Sequence, residues 1–132
     1  DAAPAATRRA FETPTEQIAF FADAPTAEQV ASLEDTLRQL EDDPAFYDRL
    51  IDAWSRGDVK AVEELGLSPM KQVSLTLYDQ LIVQRNRRWA ETIAGRMAGS
   101  GETVIVVGVG HLVGPDSVPA LLRARGFTVD GP

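Results

Sequence analysis

Apolar residues recur at helical spacing through most of the first hundred residues. The pattern is clearest after Thr26, where a capping-box sequence ending at Gln29 precedes four aliphatic residues spaced three or four apart. These four residues share one face of an amphipathic helix: Val30, Leu33, Leu37 and Leu40. Capping residues and glycine stops complete a set of predicted helices over 14–21, 27–41, 43–57, 58–65 and 68–98, the last interrupted near Arg85.

One run has the pattern of a buried β-strand. The residues from Val104 to Val107 are all β-branched, which is typical of a strand covered on both faces. Further strands are predicted over 8–12 and 127–129, and a helix over 117–125 completes a βαβ unit with the strand over 103–108. The sequence therefore predicts the α/β class, as a helix-rich half-domain with a small, mainly parallel sheet.

That predicted sheet is too small for its central strand. Two or three strands give little cover to a segment that needs both faces and both edges protected. We therefore expect the sheet to be part of a larger one, with the rest supplied by another part of the protein or by a partner.

Composition narrows the function classes. The chain has 132 residues, and we expect a single domain over 1–132 with 1–7 as a flexible lead-in. It has no cysteine, which excludes disulfides and thiolate chemistry, and no apolar run of the length a membrane helix needs. The net charge is −7, with 14 acidic and 4 basic residues in 12–64. Such a surface argues against nucleic-acid binding, and the basic cluster 85–88 fans around its helix instead of forming a stripe.

The candidate chemistry centres on the single histidine, His111. It follows the predicted strand 103–108 across Gly108 and Gly110, which allow a sharp turn and a close approach of the backbone to a ligand. Ligands of open α/β sheets gather at this end of the strands. The imidazole could serve there as a metal ligand or as a general acid or base. The alternative is a core or loop histidine bonded to backbone, with the glycines serving only the turn.

Five segments, in matching order and spacing, resemble the TraB/GumN family over residues 8–130. They correspond to the family's Leu-Glu-Thr-x-x-Glu-Gln, Ala-Trp-x-x-Gly-Asp, Arg-Asn, Val-Gly-x-Gly-His-Leu-x-Gly and Leu-Leu-x-x-x-Gly-Tyr-x-Val segments. In this chain they are Phe11–Gln17, Ala53–Asp58, Gln84–Ala90, Val107–Gly114 and Leu121–Val129.

The resemblance implies a metal-dependent hydrolase of peptide or ester bonds, related to the erythromycin esterases. Its proposed site combines two Gly-x-x-His segments, an acid and a polar pair. Carried over, these are Gly108 to His111, then Glu12, then Arg85 and Asn86. His111 and Glu12 would be the metal ligands, and Gly108 and Gly110 would line the ligand site. The metal would be Zn²⁺ or Mn²⁺, bound weakly by this chain alone.

Each of these residues also has a structural interpretation. Glu12 could be a helix-start carboxylate held by the dipole of the helix 14–21. Arg85 and Asn86 could form a helical salt bridge and a surface amide. Trp54 and Trp89 are expected in the core, because each lies on an apolar helical stripe.

One departure from the family is plain. The chain has only one histidine, so the first Gly-x-x-His segment and the half-sheet around it are absent from these residues. The chain therefore resembles the C-terminal half of a family member and is expected to be inactive alone. Its partners would be the missing N-terminal half or a second copy, together with a peptide or ester substrate. The alternative function is a non-enzymatic protein- or ligand-binding module. The resemblance favours a periplasmic or secreted location, and the residues do not decide between that and the cytoplasm.

Overall fold

A computed structural model describes residues 8–132, so the predicted lead-in over 1–7 lies outside the described residues. Within that range the chain forms eight α-helices. A π-helical turn over Asp79–Val83 lies between the sixth and seventh, and a 3-10 turn over Val109–His111 lies between the seventh and eighth. The helices are α1 (Pro14–Ala22), α2 (Thr26–Asp42), α3 (Phe46–Ser55), α4 (Val59–Gly66), α5 (Ser68–Val73), α6 (Leu75–Tyr78), α7 (Gln84–Met97) and α8 (Val118–Ala124). The helices predicted from spacing and caps are confirmed, although the long one over 68–98 is divided.

Local side-chain chemistry explains where several helices begin. Thr13 caps α1 in a reciprocal box with Glu16, and Pro14 takes the first turn, where its missing N–H costs nothing. Asp58 caps α4 by accepting a hydrogen bond from the backbone N–H of Ala61. Such caps depend only on neighbouring residues, which is why the sequence predicts them well.

The π-helical turn positions the next helix. It follows α6 without a break and buries three apolar side chains: Leu81, Ile82 and Val83. α7 then starts at Gln84, and Arg85 and Asn86 lie in its first turn. The interruption predicted near Arg85 is thus a change of helical register just before that residue. Single π-helical turns of this kind are frequent at functional sites.

The predicted α/β fold is wrong for residues 8–132, which contain no strand and belong to the all-α class. The segment Thr103–Val107 makes no backbone–backbone hydrogen bond with the described residues. Its exposure alternates as in an extended chain, since Val104 and Val106 are 91% and 90% exposed and Ile105 between them is 36% exposed. β-branched residues favour extended backbone, but a sheet also needs a second strand. The described residues supply none.

The other two predicted strands, over 8–12 and 127–129, are likewise not strands in the structure. Their aromatic and aliphatic side chains pack on the helices, in a cluster built around Trp89 in α7 and Val118 in α8. The layer predicted as a sheet is therefore present only as separate segments lying over two helices.

Apolar residues gather in two clusters. The first joins α3 and α4 to the π-helical turn, and the second joins α7 to α8. The continuous helix from α6 to α7 contributes to both, so Arg85 and Asn86 lie between them along the chain. Trp89 is buried as predicted, whereas Trp54 is 60% exposed, so its predicted core position is wrong. No helix within 8–132 has the length and apolarity to cross a membrane.

Candidate functional site

Glu12 is held by α7 and not by the start of its own helix. Its side chain is only 4% exposed, and Arg85 binds both carboxylate oxygens. Arg85 Nε lies 2.9 Å from Oε1 and 3.1 Å from Oε2, and Nη2 lies 2.9 Å from Oε2. Thr13 and Glu16 already serve the helix start, so the helix-start interpretation of Glu12 does not fit this geometry. The result is a buried bidentate ion pair.

Arg85 is fixed on every side. Its Nη1 donates to the carbonyl oxygen of Leu81 in the π-helical turn at 3.0 Å. Its guanidinium carbon lies 5.2 Å from the ring centre of Phe20 and 4.9 Å from that of Trp89, which is cation–π range. Each Nη carries two hydrogens, and these contacts use one on each. Arg85 thus keeps two N–H groups that could donate to a substrate oxygen.

Trp89 contacts both Glu12 and His111. Its Nε1–H donates to Glu12 Oε1 at 3.0 Å, and its ring centre lies 4.4 Å from that of His111. Phe11 stacks on it at 5.1 Å. Glu12 and His111 therefore both contact one indole ring, so the structure brings these two predicted site residues together through a residue that the sequence assigned to the core alone.

His111 is hydrogen-bonded to Asn86 in the first turn of α7. Asn86 is fully buried, and its Oδ1 lies 2.7 Å from His111 Nδ1. On its other side, Asn86 Nδ2 donates to the backbone carbonyl of Asp116 at 2.7 Å. The Asp116 side chain in turn accepts a hydrogen bond from the Tyr78 hydroxyl at 2.9 Å. One network thus joins α6, α7 and the segment after His111.

This network determines the protonation of the imidazole. A carbonyl can only accept, so the amide nitrogen of Asn86 must face Asp116 and its oxygen must face His111. His111 therefore donates from Nδ1, and Nε2 carries the lone pair in the neutral ring. No described side chain bonds Nε2. The site presents one unprotonated ring nitrogen.

Burial keeps that ring neutral. Burial and, after it, the positive charge of Arg85 together lower the pKa of His111 from 6.5 to about 4, against the opposite effect of Glu12. Burial also raises the pKa of Tyr78 to about 12, assisted by its bond to Asp116. Both groups are therefore neutral at pH 7.

The two glycines before His111 differ in their surroundings. A Cβ on Gly110 would lie 3.2 Å from Leu67 Cδ2, so this glycine permits close packing of the turn against the core. A Cβ on Gly108 would meet only the His111 ring, at 3.9 Å, which is ordinary contact. The structure thus gives Gly110 a packing reason and leaves the predicted ligand-lining role of both glycines a prediction.

The contacts of Glu12 bear on the predicted metal pair, which stays a prediction. Both oxygens of Glu12 are engaged by Arg85, and Oε1 also by Trp89, so this carboxylate is not available as a ligand in this arrangement. Within the described range no three His, Asp or Glu side chains are grouped to hold a metal. His111 Nε2 fits as one ligand, and a catalytic zinc site uses about three from the protein.

Sequence reasoning missed Asp116 and Tyr78 and gave Trp89 only a core role. Asp116 acts through its backbone carbonyl as much as through its side chain, and no residue pattern indicates that. Trp89 is both core and site residue, and its hydrogen bond to Glu12 spans 77 positions.

Comparison with known proteins supports the resemblance seen in the sequence. The model of the TraB/PrgY/gumN family matches residues 3–131, nearly the whole chain. No curated protein and no solved structure matches.

Proposed function

Because the chain belongs to the TraB/PrgY/gumN family, we propose that it forms part of a hydrolase of peptide or ester bonds in which His111 supplies the reactive nitrogen. The observation that carries the proposal is the pair of hydrogen bonds that Asn86 makes, one to the Asp116 carbonyl and one from His111 Nδ1. Together they leave Nε2 of His111 unprotonated and without a partner among the described residues.

The surroundings of His111 favour metal ligation over proton transfer. An imidazole with a pKa of about 4 is a weak base at pH 7, since a general base works best with a pKa near the working pH. The same low pKa means that no proton competes for Nε2 as a ligand. Asn86 would be the outer partner that orients the ligand ring.

The proposed cofactor is a divalent metal, Zn²⁺ or Mn²⁺, held by His111 Nε2 and by ligands outside residues 8–132. When bound, such an ion lowers the pKa of its water and polarises the carbonyl to be cleaved. Arg85 would direct its two remaining N–H groups at an oxygen of the substrate. Glu12 would act as a positioning residue that holds Arg85, and not as a ligand.

We propose that this chain associates with another polypeptide segment, either the N-terminal half of the protein or a second copy, through the exposed segment 103–107. The supporting observation is the segment 103–107, which makes no backbone–backbone hydrogen bond with the described residues and exposes Val104 and Val106. An apolar cavity of about 200 Å³ also opens between this segment and helices α7 and α8. This chain alone is expected to self-associate through the segment. Light scattering that shows a clean monomer at high concentration, with no binding of a hydrophobic dye, would contradict the second-copy form.

The metal proposal can be tested on the ring itself, because the chain has a single histidine. Proton–nitrogen NMR should show one imidazole, neutral and protonated at Nδ1, across pH 5.5–8. The range follows from the pKa of about 4. Added Zn²⁺ should shift Nε2 and leave Nδ1 protonated. Asn86→Leu removes the partner of Nδ1 and should lower the affinity for Zn²⁺ about 10–100-fold. It is studied under conditions where circular dichroism shows that it is folded.

Adventitious binding to the acidic surface gives a different result. Carboxylate resonances would then shift while both ring nitrogens stay unchanged, and the metal proposal would fail. Hydrolysis is measured separately, in the protein that includes the complementary half. Equal peptide and ester hydrolysis by wild type and His111→Ala would contradict the proposed function.

A further inference from the structure

The outward face of α2 is an apolar stripe. Its four side chains are 46–60% exposed and are spaced three, four and three residues apart: Val30, Leu33, Leu37 and Leu40. This is the spacing of a coiled-coil seam, and at 1.5 Å per residue the α2 seam is about 15 Å long. The amphipathic pattern predicts that these residues face a protein interior. In this structure they face away from the rest of the chain.

The opposite side of α2 is polar, and it is the side that attaches the helix. The half-buried residues are Glu28, Ser32, Asp35 and Gln39. Glu28 accepts a hydrogen bond from the Ser74 hydroxyl at 2.5 Å, and Gln29 donates to the carbonyl of Ala24 at 2.7 Å. Gln29 is thus engaged elsewhere, and the capping box predicted at Thr26 does not form. Hydrogen bonds hold α2 in place and leave the seam without cover from residues 8–132.

The charges beside the seam are of one sign. Residues 26–42 contain five acids and one base, Arg38, which lies 3.9 Å from Asp35 on the far side of the helix from Leu33. Glu34 and Glu41 flank the seam along one edge, and uncharged Gln29 and Thr36 flank the other. A helix lying in this seam would meet carboxylates with no basic residue of α2 to neutralise them.

We propose that the α2 seam is a docking site for a basic amphipathic helix of a protein partner. Apolar side chains of that helix would fill the seam, and lysines or arginines at its edge would pair with Glu34 and Glu41. A second copy of this chain fits less well. In an antiparallel pair the acidic edges would face each other, and in a parallel pair they would face Gln29 and Thr36 with no ion pair.

The test uses a synthetic helix of about five turns, with leucines at the same spacing and lysines elsewhere. A peptide of the same composition with scrambled order and one with glutamate in place of lysine are the controls. The lysine helix should bind, with amide shifts confined to α2. Leu33→Glu and Leu37→Glu should each weaken binding about tenfold. Leu75→Glu, at a leucine that is 67% exposed on α6, should leave binding unchanged.

Leu33→Glu and Leu37→Glu separate docking from general attraction of a basic peptide to an acidic protein. Each adds negative charge to the protein and yet should weaken binding of the lysine peptide. Joint Glu34→Lys and Glu41→Lys should reverse the preference from the lysine peptide to the glutamate peptide. Equal binding of ordered and scrambled peptides, or stronger binding to Leu37→Glu, would overturn the proposal. A dimer that Leu37→Glu dissociates in sedimentation equilibrium would overturn it in favour of a second copy.

Discussion

Replacing Glu12 with alanine is expected to destabilise the fold by about 3–5 kcal/mol, because it leaves the Arg85 cation buried without its counter-ion. Glu12 also accepts the Trp89 Nε1–H bond, so the same change leaves a second buried donor unpaired. Urea unfolding followed by circular dichroism measures the loss.

Two variants make this prediction specific. Glu64→Ala removes a carboxylate from the exposed Lys60–Glu64 pair and should cost less than about 1 kcal/mol. Glu12→Ala combined with Arg85→Met should recover part of the loss, because the second change removes the unpaired charge. A cost for Glu12→Ala as small as that for Glu64→Ala would show that the ion pair is not buried in solution.

The stability of the protein is expected to fall by roughly 3 kcal/mol as the pH is lowered from 6.5 to 4, through His111 alone. Above pH 6.5 the ring is neutral in the folded and unfolded states, so it contributes no pH dependence. Below that value the unfolded chain takes up a proton, while the folded chain does not until its pKa of about 4. The unfolded state is therefore favoured as the pH falls.

The control is His111→Gln, which keeps a donor for Asn86 but does not titrate. Carboxylates contribute to the pH dependence of both proteins, so the histidine effect is the difference between the two stability profiles. That difference should grow steadily from pH 6.5 to 4 and vanish above 7. Parallel profiles for wild type and His111→Gln over the whole range would contradict a neutral buried ring.

Helices were predictable here because their determinants are local. The box of Thr13 with Glu16 and the cap at Asp58 act within three residues, and apolar spacing reports the helical period directly. The strand predicted at Val104–Val107 failed for the opposite reason. Its residues favour extended backbone, but a strand exists only with a partner, and the described chain provides none.

Orientation was harder to predict than helix position. The seam of α2 has the spacing of a core-facing stripe, yet it points outward, because Glu28 on the opposite, polar side is hydrogen-bonded to Ser74. Trp54 lies on an apolar stripe in the same way and is exposed. Periodicity shows which residues share a face, whereas the contacts of the whole fold decide which face is covered.

The sequence by itself determined the acidic charge, the absence of thiol chemistry, the single histidine and the family to which the chain belongs. It also indicated His111 as a candidate through its position after two glycines, and Glu12, Arg85 and Asn86 through the family resemblance. No spacing in the sequence shows these four residues in contact. Only the tertiary structure decided which of these side chains contact one another. Asn86 meets His111 across 25 positions, and Arg85 meets Glu12 across 73. The tautomer of the ring, its low pKa and the loss of Glu12 as a free ligand all follow from those contacts, because burial and neighbouring charge depend on which distant segments pack together.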